Sequence, residues 1–164
     1  MIRPILLPAL LFLISCTQII VTPPAEVDFK NIDFIETPFN IAWSNTIEWI
    51  SMNKVNIENM DKNSGFILLK ASGTEAEEFL NCGKFELIDT MGKDSVEKSA
   101  VANIFLKAMN SNSVKVTANI SGKYSITTRH RWDGRTLTSK GHCISSGIFE
   151  NKLFNIIKAN KANK

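Results

Sequence analysis

The chain has few of the groups that catalysis usually requires. It holds two histidines and three cysteines in 164 residues. It has no Cys-x-x-Cys pair, no Gly-x-Ser-x-Gly elbow and no glycine-rich phosphate loop. Without Cys-x-x-Cys the usual signature of a dithiol redox site is missing. The apolar run near the start falls well below the ~20 residues that a membrane-spanning helix needs. Neither sign of charge dominates: 19 Lys and Arg stand against 16 Asp and Glu, for a net charge of +3. Nothing in that balance asks for a nucleic-acid partner. Internal repeats and low-complexity tracts are absent as well.

What is present begins at the N-terminus. Met1-Ile2-Arg3-Pro4 precedes an apolar run over residues 5–14, which closes in Leu13-Ile14-Ser15-Cys16. A basic start, a short apolar centre and a small residue before a cleavage point form a secretory signal peptide. The four closing residues resemble the lipobox of bacterial lipoproteins. That resemblance implies cleavage before Cys16 and a thioether-linked diacylglycerol on its sulfur. The mature chain is then held on a membrane by its N-terminal lipid. Thr17 follows the cysteine where some lipoproteins have Asp. The resemblance therefore implies the outer membrane of a Gram-negative cell, with the protein facing the periplasm. The expected organisation is a signal peptide over 1–15, a lipidated N-terminus and tether over 16–27, one domain over 28–160, and a basic tail over 161–164. Pro23-Pro24 favours an extended tether.

Removing 15 residues leaves 149 of the 164, enough for one domain with its own core. Cys82 and Cys143 then remain in a compartment where disulfides persist, and pairing them leaves no odd thiol. Two buried reduced thiols or a redox pair are the alternatives.

Periodicity supplies the elements. Residues 27–35 read as a short strand. Thr37-Pro38 reads as an N-cap with proline at the first helical position. Phe39, Ala42, Trp43, Thr46, Ile47 and Ile50 then give one apolar helix face ending near Asn53. Residues 55–60 and 66–69 form a hairpin about Asp61-Lys62-Asn63-Ser64-Gly65. An irregular stretch over 72–80 leads to strands over 84–90 and 100–109, separated by a polar segment over 92–98. From 114 to 128 the even positions are apolar and the odd ones polar, a half-buried strand with a bend at Gly122.

Asp133-Gly134 reads as a two-residue turn into a return strand over 136–143. That register sets Cys143 opposite Tyr124, His130 opposite Leu137 and His142 opposite Ser125. The two histidines then lie on opposite faces and cannot share a metal. After Ser145-Ser146-Gly147 comes a closing helix with Ile148, Phe149, Leu153, Phe154, Ile156 and Ile157 on its apolar side. Glu150 sits in its first turn, where the helix dipole favours negative charge. The expected fold is α+β: a two-layer domain with an antiparallel sheet of about six strands packed against two amphipathic helices.

Candidate sites are sparse. Glu75, Glu77 and Glu78 read as a solvated face. The densest polar-aromatic cluster is Arg129, Arg131, Trp132 and Arg135 around the turn, a partner surface or a charged tip that keeps the strand edge soluble. No catalytic group, metal or cofactor is expected.

The order of elements resembles the helix-grip domains of BamC-like outer-membrane lipoproteins. The fragments that carry the likeness are Asn40-Ile41-Ala42-Trp43 with Ile47 and Ile50, and Asn63-Ser64-Gly65-Phe66-Ile67. The third is Cys143-Ile144-Ser145-Ser146-Gly147-Ile148-Phe149-Glu150. That likeness implies a non-catalytic accessory in envelope assembly. The chain departs from the family in having one domain, a brief tether and a cysteine pair. The expectation is a lipid-anchored binding or scaffold module, not an enzyme. It would meet an envelope protein through an exposed sheet edge and the 129–135 hairpin. A carrier of a lipid or other apolar ligand between helices and sheet is a second possibility. An immunity or inhibitor lipoprotein against a periplasmic toxin or lytic enzyme is a third.

Overall fold

A computed structural model of the chain describes residues 18–53, 55–88, 90 and 94–159. The signal peptide, Cys16 and the tail over 161–164 lie outside the described residues. The elements run β1 (Gln18–Thr22), β2 (Ile32–Ile35), α1 (Phe39–Met52), β3 (Asn56–Asp61), β4 (Phe66–Ser72) and α2 (Thr74–Glu77). They continue with β5 (Leu80–Asn81), β6 (Lys84–Ile88), β7 (Ser95–Asn110), β8 (Ser113–Arg129), β9 (Thr136–Ser145) and α3 (Ile148–Ala159). The fold is α+β. A seven-stranded antiparallel sheet is ordered β3-β4-β7-β8-β9-β5, with β2 also paired to β8, and β1 and β6 form a separate two-stranded sheet. Among the described residues no helix is long and apolar enough to cross a membrane.

Alternation along β8 decides which face is covered. Every even position from Val114 to Thr128 is buried, while the odd ones are half-buried or exposed. Partners in a sheet share a face, so β8 imposes this split on its neighbours. Ala100, Ala102, Ile104 and Leu106 of β7 fall on the buried side, with Ile67, Leu69 and Ala71 of β4 beyond them. Helices α1 and α3 lie on that face. Trp49 of α1 meets Phe149 of α3 edge to face at 5.3 Å, and Phe79 meets the same ring at 5.5 Å. Each such large apolar side chain, fully buried, stabilises by roughly 1.5–3 kcal/mol.

One row across the sheet reads Ala71, Ala100, Gly122, Cys143. These small residues leave room for the segment carrying Phe79 and Leu80. A Cβ on Gly122 would sit 2.3 Å from Leu80 Cδ1 and 2.7 Å from the Ser99 carbonyl oxygen. Beyond this row the cover changes from helix to strand. Phe85 of β6 lies 4.7 Å from Tyr124, and Ile19, Val21 and Leu87 pack against the core beside it.

The main sheet agrees with the expected antiparallel sheet of about six strands: it has seven, with the short segments β2 and β5 paired at its margins. Three expectations need correction. Gln18–Thr22 is not part of a free tether: it is a strand whose β-branched residues pair with β6. Pro38, not Thr37, is the N-cap residue of α1, since its ψ of 143° is outside the helical range. Its carbonyl accepts from the Ile41 and Ala42 amides, while the buried Thr37 hydroxyl has no hydrogen-bond partner. Residues 95–98 are strand, not a polar break, because β7 pairs with β8 along its whole length despite their low apolar content. The stretch over 72–80 also contains the four-residue helix α2.

The Gly122 contacts give a direct check. Gly122→Ala should lower the unfolding free energy by about 1–3 kcal/mol, the usual cost of forcing atoms into a filled core. Urea unfolding followed by circular dichroism measures it.

Candidate functional site

The 129–135 hairpin is built by strand register and by one aspartate. The β8–β9 pairing runs out to Arg129 opposite Thr136, and the His130 amide donates to the Arg135 carbonyl at 2.8 Å. Four residues, Arg131 to Gly134, make the loop. The two-residue turn expected at Asp133-Gly134 is therefore replaced by a longer one, closed by the Gly134 amide donating to the His130 carbonyl at 3.1 Å. Gly134 has φ of 67°, which glycine adopts without strain.

Asp133 ties the loop together. Its Oδ1 accepts from the Arg135 amide at 3.0 Å and lies 2.8 Å from His130 Nδ1, while Oδ2 lies 3.0 Å from Arg135 Nε. The Arg135 amide, more than any other contact, holds the Asp133 carboxyl below its ordinary pKa, with the His130 and Arg135 charges adding to it. Trp132 is 74% exposed, and the Arg131 guanidinium lies 5.8 Å from its ring centroid. Arg129, Arg131, Trp132 and Arg135 thus meet at one end of the sheet. Among the described residues no carboxylate pairs with Arg129 or Arg131.

The longer loop shifts the β8–β9 partners by two. Cys143 faces Gly122 rather than Tyr124, His142 faces Lys123 rather than Ser125, and Leu137 faces Thr128 rather than His130. A shift of two preserves side, so His130 and His142 remain on opposite faces. Among the described residues no three His, Cys, Asp or Glu side chains gather as a metal-holding group. His142 lines a shallow depression of about 710 Å³ on the helix-free face, with Lys123, Lys140, Glu97, Ser99 and Ser125. These residues occupy the polar positions of their strands, and alternation alone reads such positions as solvated surface. The pairing of β7, β8 and β9 sets them side by side in two adjacent rows. The depression offers ammonium and hydroxyl groups to an anionic or hydroxylated molecule.

The carboxylates over 75–78 are tied to lysines: Glu77 lies 2.5 Å from Lys98 Nζ, and Glu78 pairs with Lys152. The hydrogen bond from Lys98 holds the Glu77 carboxyl below its ordinary pKa. The edge strand β3 is exposed at all six positions, but its register slips between Ile57 and Asn59. Glu58 at that bulge reaches Lys70. A bulge and charges of this kind blunt an edge against strand addition.

Cys82, just past β5, and Cys143 of β9 have their sulfurs 2.00 Å apart, a disulfide pair. The bridge fastens the β5 margin to the long strands. Beside it, Glu150 is fully buried at the start of α3. Its Oε2 accepts from Ser145 Oγ at 2.8 Å, while Oε1 has no hydrogen-bond partner. Burial raises the Glu150 pKa, opposed by the Ser145 hydroxyl and by the Glu150 and Ile120 amides. The first-turn position was legible in the sequence. The burial was not, because it depends on Ser145 arriving from β9.

No protein-family model matches the chain, and no curated protein is similar to it.

Two measurements follow from these buried groups. Replacing Cys82 and Cys143 together by serine frees a loop of 61 residues. The expected loss is about 4 kcal/mol of unfolding free energy on the chain-entropy account, read by urea titration. For Glu150, a raised folded-state pKa means the folded protein binds the proton more tightly than the unfolded chain. Stability therefore falls as pH rises from the ordinary Glu value through the raised one. Glu150→Gln should be more stable relative to wild type at pH 7 than at about pH 4, near the model-peptide value. Unfolding curves at both pH values check the sign.

Proposed function

We propose that the chain is an envelope lipoprotein, anchored through an acylated Cys16, that acts as a non-catalytic binding or scaffold module in the periplasm. Its binding surface is the 129–135 hairpin together with the helix-free face of the sheet. The observation that carries this reading is the fate of the cysteines. Cys16 ends a leader of lipobox type, and the remaining two, Cys82 and Cys143, form a disulfide pair. Such pairing suits an oxidising compartment outside the cytosol. The outer membrane is the proposed address, on the strength of Thr17.

The space between helices and sheet bears on the carrier alternative. Among the described residues, the cavity lined by Val55, Leu69, Phe79, Ile120 and Phe149 measures about 10 Å³. That is far below the 300–1,000 Å³ typical of ligand pockets, so a buried acyl chain has no place there. Material for surface contact is plentiful. Phe66, Phe105, Thr117 and Ile32 form one row on the helix-free face, with Phe34 in the next row and 65% exposed. The scaffold role also draws on the resemblance to BamC-like accessories, whose members are non-catalytic.

Metabolic labelling tests the anchor. Cells expressing the chain and fed radiolabelled palmitate should yield a labelled band, and Cys16→Ser should abolish the label. An unlabelled wild-type band would refute the lipoprotein reading.

A further inference from the structure

The hairpin lies toward the end of the molecule at which β1 begins, and we infer that its partner is the bilayer itself: the Arg131-Trp132 tip rests on an anionic phospholipid surface. The inference builds on the lipid anchor proposed at Cys16 and names what that same hairpin binds.

Topology supplies the placement. Gln18, the first residue of β1, pairs with Ile88, the last of β6. Two residues on, Thr90 bridges to His130, which opens the tip loop. Neighbouring strands lie about 5 Å apart and two residues of chain reach at most about 7 Å, so the path from Gln18 to His130 is at most about 17 Å. Cys16 precedes Gln18 by two residues, a reach of at most about 7 Å. Because β1 is a paired strand, no long linker separates the acylated residue from the fold. A lipid on Cys16 therefore keeps the hairpin end of the sheet close to the membrane.

The chemistry of that end fits a phospholipid interface. Trp132 is 74% exposed, whereas Trp43 and Trp49 are 8% and 6% exposed in the core. An indole combines an apolar ring with one N–H donor, and tryptophan is enriched at headgroup depth for that reason. Arg131 stacks beside it. Arg129 and Arg131, without carboxylate partners among the described residues, present guanidinium forks suited to phosphate. Arg135 is different, since Asp133 holds it and the loop's shape depends on that pair. Basic residues beside an anionic leaflet attract it over roughly a Debye length.

Trp132 is also the reporter. The mature protein, purified from cells, is reconstituted in vesicles of phosphatidylglycerol and phosphatidylethanolamine with brominated acyl chains, and tryptophan fluorescence is read. The expected result is quenching of the exposed, red-shifted emission, lost in Trp132→Phe. The quenching should weaken in the double variant Arg129→Gln, Arg131→Gln and with added salt. Fluorescence matching that of Trp132→Phe overturns the inference. If palmitate label is present on Cys16 in that sample, the anchor stands and only the tip assignment falls. This is also the result if an envelope protein occupies the hairpin. Quenching without palmitate label would retain the tip as a bilayer contact and sink the anchor.

Discussion

Antiparallel pairing of β7 with β8 is the constraint on which the rest of the structure depends. The two strands are the longest in the fold and lie at its centre. Because side chains alternate, their register dictates which residues of β4, β9 and β2 face the helices. A slip of one residue would bring Lys115, Asn119 and Lys123 onto the covered face and push Val116, Ala118 and Tyr124 into solvent. The desolvation cost of three such polar groups far outweighs anything local turns contribute. The fold thus tolerates a hairpin loop two residues longer than expected, since a shift of two keeps every side chain on its own face.

Cover over the buried face is divided. Helices α1 and α3 close one half around Phe149, and the β1–β6 pair closes the other over Tyr124. The row of small residues through Gly122 marks the boundary, with the segment bearing Phe79 and Leu80 laid across it. The disulfide from Cys82 to Cys143 pins that segment at the margin of the sheet. This division has a functional consequence, because the strand that closes the second half is the first one in the domain. Gln18, where β1 begins, lies toward the hairpin end, so the anchor proposed at Cys16 would set how the domain stands on a membrane. Among the described residues, no helix lies over the opposite face of the sheet, which carries Phe34, Phe66 and Phe105.

Much of this was legible in the residues. The even-odd alternation over 114–128 announces a half-buried strand, and the apolar spacing from Phe39 to Ile50 announces α1. The Cys82–Cys143 pair is the arithmetic expected once Cys16 is set aside for the lipid, though the residues alone leave reduced thiols or a redox pair open. What escaped reading depends on partners distant in sequence. Gln18–Thr22 looks like the start of a linker until Lys84–Ile88 arrives to pair with it. Residues 95–98 look like a polar break because their strand character comes from hydrogen bonds to β8 rather than from apolar content. Asp133 gave no sign that it would organise a four-residue loop, and Lys123, Lys140 and His142 are gathered by the β8–β9 register that this loop sets. The arginine-tryptophan cluster was visible as composition. Its link to β1, through Ile88 and the Thr90–His130 bridge, was not.

The central claim is that the mature protein is an acylated, oxidised domain standing on a membrane. Intact-mass spectrometry of the protein isolated from its own cells tests this most directly. The account predicts a chain beginning at Cys16, heavier than residues 16–164 by the diacylglyceryl and acyl groups and lighter by the two hydrogens of one disulfide. A mass equal to the full 164-residue chain, with all three thiols free, would contradict it.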